Sequence, residues 1–363
     1  MSSPLVIALD AMGGDLGPRA VIPGAALALK SNPDLCFLIF GDEAQIRPVL
    51  QDYPALEKAS VLHHTDKFIS AHEKPAQALR GGRQSSMRLA IDSVADKRAA
   101  CVVSGGNTGA LMATAKMVLK CLPGVDRPAI ASLLPTMTHE IVMLDLGANL
   151  ECDAQQLVQF AILGSVYARV VRGHEQPSVG LLNIGSEDVK GHDELREAAR
   201  ILQQISFPGK YAGFIEGNDI PMGKVDVVVT DGFTGNVALK TAEGVSKLIS
   251  TMLKSALKET LISKLGAFLA MGSLKKLKSQ MDPRLYNGGM FLGLDGVCVK
   301  SHGGMDAVGF ANAIEHAAEI AAKNFNQRVA EEIAVVLAQE RVIPDAPAEV
   351  EEGAVASLEE RSA

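Results

Sequence analysis

Six polar, glycine-rich turns follow short aliphatic runs along the chain, and they contain residue types that bind small anions. Two of them lead directly into helix-forming stretches, 104–109 (SGGNTG) and 231–236 (DGFTGN). A helix N-terminus that is reached through glycines exposes unpaired N–H groups at the positive end of the helix dipole. The pattern therefore predicts an anion site. The other four turns stand at 10–15, 41–42, 145–149 and 183–187.

The predicted anion is inorganic phosphate and not a nucleotide. Neither of the glycine-rich nucleotide motifs, G-x-G-x-x-G and G-x-x-x-x-G-K-[ST], occurs in the chain. For any single turn, an alternative stays open in which glycine and aspartate only form a tight bend.

Three residues in or near such turns are candidates for catalysis. Lys190, in 187–191 (EDVKG), would neutralise a phosphate or an oxyanion, and a solvated surface lysine is the alternative. Asn236 is a candidate donor to an oxyanion, and His302 is a candidate general acid or simply a turn residue. The chain has no G-x-S-x-G nucleophile motif and no Cys/His cluster with metal-ligand spacing. No covalent enzyme intermediate, metal or cofactor is therefore predicted.

The aliphatic runs are apolar on both faces and alternate with helix-forming stretches. This alternation is typical of a mostly parallel sheet sandwiched by helices, an α/β fold. Ligands of such sheets bind beyond the carboxyl ends of the strands, so all six turns are predicted to meet in one polar pocket. A single α/β domain is predicted for residues 1–343. Residues 344–363, with six acids and one base, are predicted to be a disordered acidic tail.

A lysine-rich stretch at about 246–280 has seven lysines and one acid, with apolar residues at helical spacing. It is predicted to form a protruding amphipathic helical hairpin, interrupted at Gly266 and carrying an apolar tip at 267–271. Such a hairpin suits docking on an anionic membrane or on an acidic carrier protein. A core helix or a homodimer interface is the alternative. The docking candidates are Lys254, Lys258, Lys264, Phe268, Leu269, Lys275, Lys276 and Lys278.

Composition indicates a cytoplasmic protein. The net charge of −7, from 35 basic and 42 acidic residues, gives no indication of nucleic-acid binding. The five cysteines lack C-x-x-C spacing, which suits a reducing compartment. No N-terminal signal is visible, and the apolar segment at 265–274 is about half the length that spans a bilayer.

An ordered series of motifs resembles the bacterial phosphate acyltransferases of phospholipid synthesis, the PlsX family. The resemblance runs from about residue 5 to about residue 330. The motifs that carry it are 7–15 (IALDAMGGD), 85–87 (SSM), 106–110 (GNTGA), 144–149 (LDLGAN), 159–161 (QFA), 181–185 (LLNIG), 190–191 (KG), 214–217 (FIEG), 231–237 (DGFTGNV) and 301–303 (SHG).

The resemblance implies a fold akin to the phosphate acetyltransferases and to the isocitrate and isopropylmalate dehydrogenases, usually in a homodimer. It also implies transfer of a fatty acyl group from acyl carrier protein to inorganic phosphate. The acyl phosphate would pass to a glycerol-phosphate acyltransferase at the inner face of the cytoplasmic membrane.

Together, the turns and the resemblance lead to a hypothesis for the site. Phosphate lies on the N–H groups of 107–109 with Lys190 as its charge partner, Asn236 and Gly235 donate to the thioester carbonyl, and His302 protonates the leaving thiolate. The proposed binding residues for phosphate and acyl thioester are Asp10, Gly13, Gly14, Ser104, Asn107, Thr108, Gly109, Asp145, Asn149, Asn183, Glu187, Glu216, Asp231, Thr234 and Gly235.

Two rival functions remain at this stage. One is an enzyme that uses acyl-coenzyme A, and the basic stretch favours an acidic protein donor over it because such a patch speeds association. The other is a membrane-bound, non-enzymatic organiser of lipid synthesis.

Overall fold

The computed structural model describes residues 4–280, 282 and 284–340, so the acidic tail predicted at 344–363 lies outside the described residues. These residues form eleven strands and thirteen helices. The strands are β1 (Leu5–Asp10), β2 (Leu35–Gly41), β3 (Ser60–His64), β4 (Cys101–Ser104), β5 (Ala129–Pro135), β6 (Glu140–Leu144), β7 (Ser178–Leu182), β8 (Lys210–Ile215), β9 (Val227–Val229), β10 (Gly289–Leu292) and β11 (Val297–Lys300).

The helices lie between the strands and after them. They are α1 (Pro18–Ser31), α2 (Glu43–Leu50), α3 (Pro54–Lys58), α4 (Pro75–Gly81), α5 (Ser86–Ala95), α6 (Thr108–Leu119), α7 (Ala154–Arg172), α8 (Asp193–Gln204), α9 (Gly232–Glu259), α10 (Leu261–Leu269), α11 (Met271–Gln280), α12 (Ala307–Ala322) and α13 (Phe325–Glu340).

All eleven strands belong to one sheet, in the order β3-β2-β1-β4-β11-β10-β5-β6-β9-β7-β8. Pairing is parallel from β3 to β11 and again from β6 to β8. The three pairings in between, β11–β10, β10–β5 and β5–β6, are antiparallel. The prediction of a mostly parallel sheet sandwiched by helices is confirmed.

Three successive antiparallel pairings reverse the direction of the second half of the sheet. The carboxyl ends of β1, β2, β4 and β11 therefore point to one rim, the first rim, and those of β6, β7, β8 and β9 point to the opposite, second rim. The prediction that all six glycine-rich turns lie along one rim is wrong. The aliphatic pattern identifies each strand, but it contains no information about strand direction.

Side chains that alternate along the strands build two apolar layers, one on each face of the sheet. Ile7 and Leu9 of β1 face a layer that includes residues of α1, α7, α12 and α13. Ala8 faces the other layer, which is built from residues of α5 and α6 and from partly buried side chains near the start of α9. Both layers are mostly aliphatic, and buried phenylalanines such as Phe37 and Phe291 complete them.

Helix α9 leaves the second rim and runs for 28 residues, a length of about 42 Å. Its buried residues are Gly232 and Gly235, and α10 has none. The remainder of α9 and all of α10 therefore stand away from the core. Among the helices of the described ranges, none is long and apolar enough to cross a membrane.

The chain turns at Thr260 and again at Ala270, so the interruption predicted at Gly266 is wrong. Thr260 leaves the helical conformation, and its hydroxyl accepts a hydrogen bond from the Ser263 N–H at 3.0 Å, which caps α10. Gly266 lies within α10 with open space around it. Of the predicted docking residues, Lys254, Lys258, Lys264, Phe268, Leu269, Lys275 and Lys276 are exposed, and Lys278 lies on α11.

Candidate active site

Asp10, at the end of β1, is a buried anchor for the turn after β4. Its two carboxylate oxygens accept hydrogen bonds from the hydroxyls of Ser86 at 2.6 Å and Ser104 at 2.7 Å. The Ser104 hydroxyl in turn accepts the N–H of Gly106 at 3.0 Å. Burial raises the pKa of Asp10, and these hydrogen bonds oppose that rise. Asp10 thus orients the turn after β4 through hydroxyl groups.

Three turns of the first rim pack backbone against backbone. A Cβ on Gly13 would lie 2.6 Å from the Gly106 nitrogen, and one on Gly14 would lie 2.9 Å from the Gly303 carbonyl oxygen. The N–H of Asp15 donates to that same Gly303 oxygen at 2.8 Å. The structure therefore brings together the predicted residues that follow β1, β4 and β11.

The N-terminus of α6 opens into this cluster. The Asn107 side chain caps the helix by accepting the Ala110 N–H at 3.0 Å, and it donates to the carbonyls of Ala71 at 2.8 Å and Glu73 at 3.0 Å. Its amide group is thus committed to the fold. The first N–H groups of a helix have no partner within it, so those of Thr108 and Gly109 are available to an anion.

Lys300, which the sequence analysis missed, ends β11 directly beside Ser104 of β4. Its ammonium donates to the Gly105 carbonyl at 3.4 Å and to the carbonyl of Ser301. Burial lowers the pKa of Lys300 to about 8, while Asp10 and Asp15 act in the opposite direction. The available signal was a lysine at the end of an aliphatic strand, directly before the 301–304 turn (SHGG).

His302 lies in the same turn, and its N–H donates to the Asn287 side chain at 2.8 Å. Burial lowers the pKa of His302, and the charges of Lys240 and Lys300 lower it further, so the imidazole is neutral at neutral pH. Its Nδ1 accepts the Gly304 N–H at 3.2 Å, which assigns the proton to Nε2. A neutral imidazole can donate this hydrogen bond to a substrate oxygen, but it has no additional proton for a leaving thiolate.

Helix α9 starts at the second rim and brings the charge of Lys240, in its third turn, within electrostatic range of the first rim. This charge lowers the pKa of both Lys300 and His302. The Lys240 ammonium is paired with Glu243 at 2.8 Å. Asn236 lies one turn earlier on the same side of the helix and is exposed. The candidate site is therefore the space between α9 and the turns of the first rim.

At the second rim, Asp145 holds together the 145–149 turn, against which α9 begins. Its carboxylate accepts four hydrogen bonds, from the N–H groups of Ile130, Ala148 and Asn149 and from the Asn149 side chain, at 2.7–3.0 Å. Asn149 also donates to the carbonyl of Pro128 at 2.9 Å. Both side chains are buried, and these hydrogen bonds hold the 145–149 turn.

The first turn of α9 packs closely against the 145–149 turn. A Cβ on Gly235 would lie 1.9 Å from the Asp145 carbonyl oxygen, and one on Gly232 would lie 2.4 Å from that of Asn149. Asp231 caps the helix by accepting the N–H and the hydroxyl of Thr234, both at 2.8 Å. Asp231, Thr234 and Gly235 therefore place Asn236.

The remaining predicted residues, Asn183, Glu187, Lys190 and Glu216, follow β7 and β8 at the second rim. Asn183 donates to the Lys190 carbonyl at 3.0 Å, and the Lys190 side chain is exposed. β7 lies six strands from β4, a lateral distance of about 29 Å, and the two strands end at opposite rims. Lys190 and residues 107–109 thus follow strands that end at opposite rims, and the predicted pairing of Lys190 with a phosphate at 107–109 stays a prediction.

Comparison with known proteins identifies the family. A family model described as fatty acid synthesis protein matches residues 5–328. A phosphate acyltransferase from Rhodospirillum centenum is 56% identical over 355 residues, which cover 98% of this chain and 100% of that protein. One from Rhodospirillum rubrum is 54% identical over 336 residues, which cover 93% of this chain and 96% of that protein.

Solved structures with a similar fold agree with this result. A phosphotransacetylase from Staphylococcus aureus superposes with a TM-score of 0.57 at 16% identity, covering 87% of this chain and 94% of that one. A phosphotransacetylase from Streptococcus pyogenes gives a TM-score of 0.58 at 16% identity, with 88% and 94% covered. At this identity the likeness concerns the fold, while the sequence relatives establish the activity. The chain therefore belongs to the PlsX family of bacterial phosphate acyltransferases and is an enzyme that transfers an acyl group to phosphate.

Proposed function

We propose that the enzyme transfers a fatty acyl group from the thioester of acyl carrier protein to inorganic phosphate, giving an acyl phosphate for phospholipid synthesis. The observation that carries this proposal is the meeting of three glycine turns at the N-terminus of α6, beside the half-buried cation Lys300. A cradle of main-chain amides binds some oxygens of a small oxyanion and leaves another oxygen free to attack the acyl carbon.

In the proposed reaction, a phosphate oxygen attacks the thioester carbonyl carbon, the C–O bond forms, and the C–S bond breaks with its electron pair leaving on sulfur. Phosphate is already anionic at neutral pH, so positioning matters more than deprotonation. Holding the two reactants together supplies up to about 7–11 kcal/mol of the barrier. One oxyanion donor adds about 3–4 kcal/mol. Asn236 and the neutral His302 are the proposed donors to the carbonyl oxygen.

The charge distribution supports a protein donor. The enzyme has a net charge of −7, yet exposed lysines cluster on α9, α10 and α11. Such a local excess of positive charge attracts an acidic carrier protein and raises its association rate. Acyl-coenzyme A is the alternative donor, and a non-enzymatic organiser of lipid synthesis is excluded by the membership of the acyltransferase family.

A thiol-release assay tests the donor. We expect long-chain acyl carrier protein to release free carrier thiol at a rate that depends on added phosphate, and matched acyl-coenzyme A to give a kcat/KM at least tenfold lower. Equal or higher kcat/KM with acyl-coenzyme A would reject the carrier protein as the preferred donor. Release that is independent of phosphate would reject phosphate as the acceptor.

We further propose that the enzyme acts as a homodimer in the cytoplasm, attached to the inner face of the cytoplasmic membrane near the glycerol-phosphate acyltransferase. Exposed apolar side chains support this attachment: Phe268 is 66% exposed and Leu269 is 78% exposed, between the lysines of α9 and α11. Clustered exposed apolar residues flanked by lysines are typical of interfacial helices.

Replacing Phe268 and Leu269 together by glutamate is expected to lower the bound fraction on anionic phospholipid vesicles at least tenfold, because burial of two large apolar side chains is lost. Sedimentation with the vesicles measures the bound fraction. Met137, 76% exposed in the turn between β5 and β6, provides the control, and Met137→Glu should bind as the parent protein does. Undiminished binding of the double variant would show that these side chains do not anchor the enzyme.

A further inference from the structure

We propose that Lys300 is the cation that binds the acceptor phosphate, holding it against the main-chain amides at the start of α6. The inference rests on the proposed function only in that phosphate is the acceptor; it is independent of the acyl donor. It replaces the role that the sequence predicted for Lys190.

Lys300 is half-buried, and its ammonium has no ion-pair partner among the described residues. The ammonium contacts two neutral carbonyl oxygens, those of Gly105 and Ser301. The charges of Asp10 and Asp15 raise its pKa, but neither carboxylate forms an ion pair with it. An entering anion therefore stabilises this half-buried ammonium.

The position of Lys300 matches the amide cradle. β11 pairs with β4 so that Lys300 lies beside Ser104, and the Gly105 carbonyl that its ammonium contacts at 3.4 Å belongs to the turn before α6. An ammonium has three donors, and two carbonyl contacts leave one for a ligand. The other candidate cations are less suitable, because Lys240 is paired with Glu243 and Lys190 lies at the second rim.

During the reaction Lys300 keeps its proton. It donates one hydrogen bond to a phosphate oxygen while another oxygen of the same phosphate forms the bond to the acyl carbon. The electron pair of the broken C–S bond leaves with sulfur. The ammonium offsets the repulsion between the phosphate charge and the developing oxyanion, which is a positioning and electrostatic contribution.

The pKa of Lys300, which burial lowers to about 8, gives the proposal a signature in pH. Phosphate binds the ammonium form, so its dissociation constant should rise about tenfold per pH unit above pH 8, where inorganic phosphate is dianionic throughout. The charged and titratable groups that face Lys300 are Asp10, Asp15, Lys240, Cys298 and His302. Burial raises the pKa of Asp10 and of the Cys298 thiol and lowers the pKa of His302.

The test measures binding of inorganic phosphate, without any acyl donor, by isothermal titration and by the thermal shift relative to each variant's own Tm. Lys300→Met is expected to weaken phosphate binding at least tenfold and to raise the KM for phosphate equally, with the KM for the thioester within twofold. Lys58→Met, at an exposed position on α3, is expected to bind phosphate as the parent enzyme does.

If the Lys300→Met variant does not fold, the Lys300→Arg variant tests the proposed role of Lys300 instead. A guanidinium stays protonated through this range, so phosphate binding should persist and its weakening above pH 8 should disappear. Retention of that weakening in Lys300→Arg, or parent-like affinity in Lys300→Met, would overturn the proposal. Because no thioester is present, a wrong acyl donor leaves this result unchanged.

Discussion

Gly235→Ala is expected to lower kcat/KM for acyl transfer by about 100-fold. The added Cβ would lie 1.9 Å from the Asp145 carbonyl oxygen, a backbone atom that no rotamer change can move away. The start of α9 must therefore shift by about 1 Å, and a displacement of this size in a substrate-positioning element costs about 10²-fold in rate. Asn236 and Lys240 lie on the displaced helix. Steady-state kinetics with saturating phosphate measures the effect.

Gly244→Ala, in the same helix, is the matched control. A Cβ at Gly244 has no heavy atom within 4 Å, so this substitution should leave activity unchanged and stabilise α9 by up to about 1 kcal/mol. If Gly235→Ala retains parent-like kcat/KM, the contact between α9 and the 145–149 turn does not position the site.

Asp145→Asn is expected to lower the free energy of unfolding by about 3 kcal/mol. Each carboxylate oxygen of Asp145 accepts two N–H donors, at 2.7–3.0 Å. An asparagine amide of the same shape presents one oxygen and one NH₂ group, so in either orientation two buried donors lose their acceptor. Each such loss costs about 1–3 kcal/mol. Urea unfolding measures the change, and the slope with urea should stay the same.

Asp52→Asn supplies the comparison, because Asp52 is exposed in the turn after α2. Its effect should stay within about 0.5 kcal/mol. A similarly small effect at Asp145 would mean that the hydrogen bonds around the 145–149 turn contribute little to stability.

The sequence was sufficient to predict the elements and the first half of the site. Each aliphatic run followed by a glycine-rich turn is a strand followed by such a turn, as at Asp10 and Ser104. These two residues meet because β1 and β4 are parallel neighbours. Their side chains serve the fold more directly than predicted, since the buried Asp10 carboxylate accepts hydrogen bonds from the Ser86 and Ser104 hydroxyls.

The sequence pattern could not predict the direction of the strands. The reversal depends on β10 inserting between β11 and β5, strands that are far apart along the chain, and no local residue pattern reports such a pairing. The same insertion leaves Lys300 half-buried, although at the end of an alternating run it resembles an ordinary surface lysine. Lys300 was therefore overlooked for the same reason that strand direction could not be predicted.

The turn at Thr260 has a simpler explanation. Glycine lowers helix stability by about 1 kcal/mol relative to alanine, which a helix tolerates at a single site. A threonine whose hydroxyl caps the next helix stops one helix and starts another. At this position the capping side chain was the stronger signal, and Gly266 remains helical.

Helix α9 is anchored to the body of the protein at one end only. Its first turn is held where Gly232 and Gly235 contact the 145–149 turn, and the rest of the helix has no buried residue. Asn236 and Lys240 follow the anchored first turn, in the same continuous helix that extends to Glu259. A torque applied to the outer part of α9 is therefore carried through the helix backbone at Asn236 and Lys240 before it reaches the body of the protein.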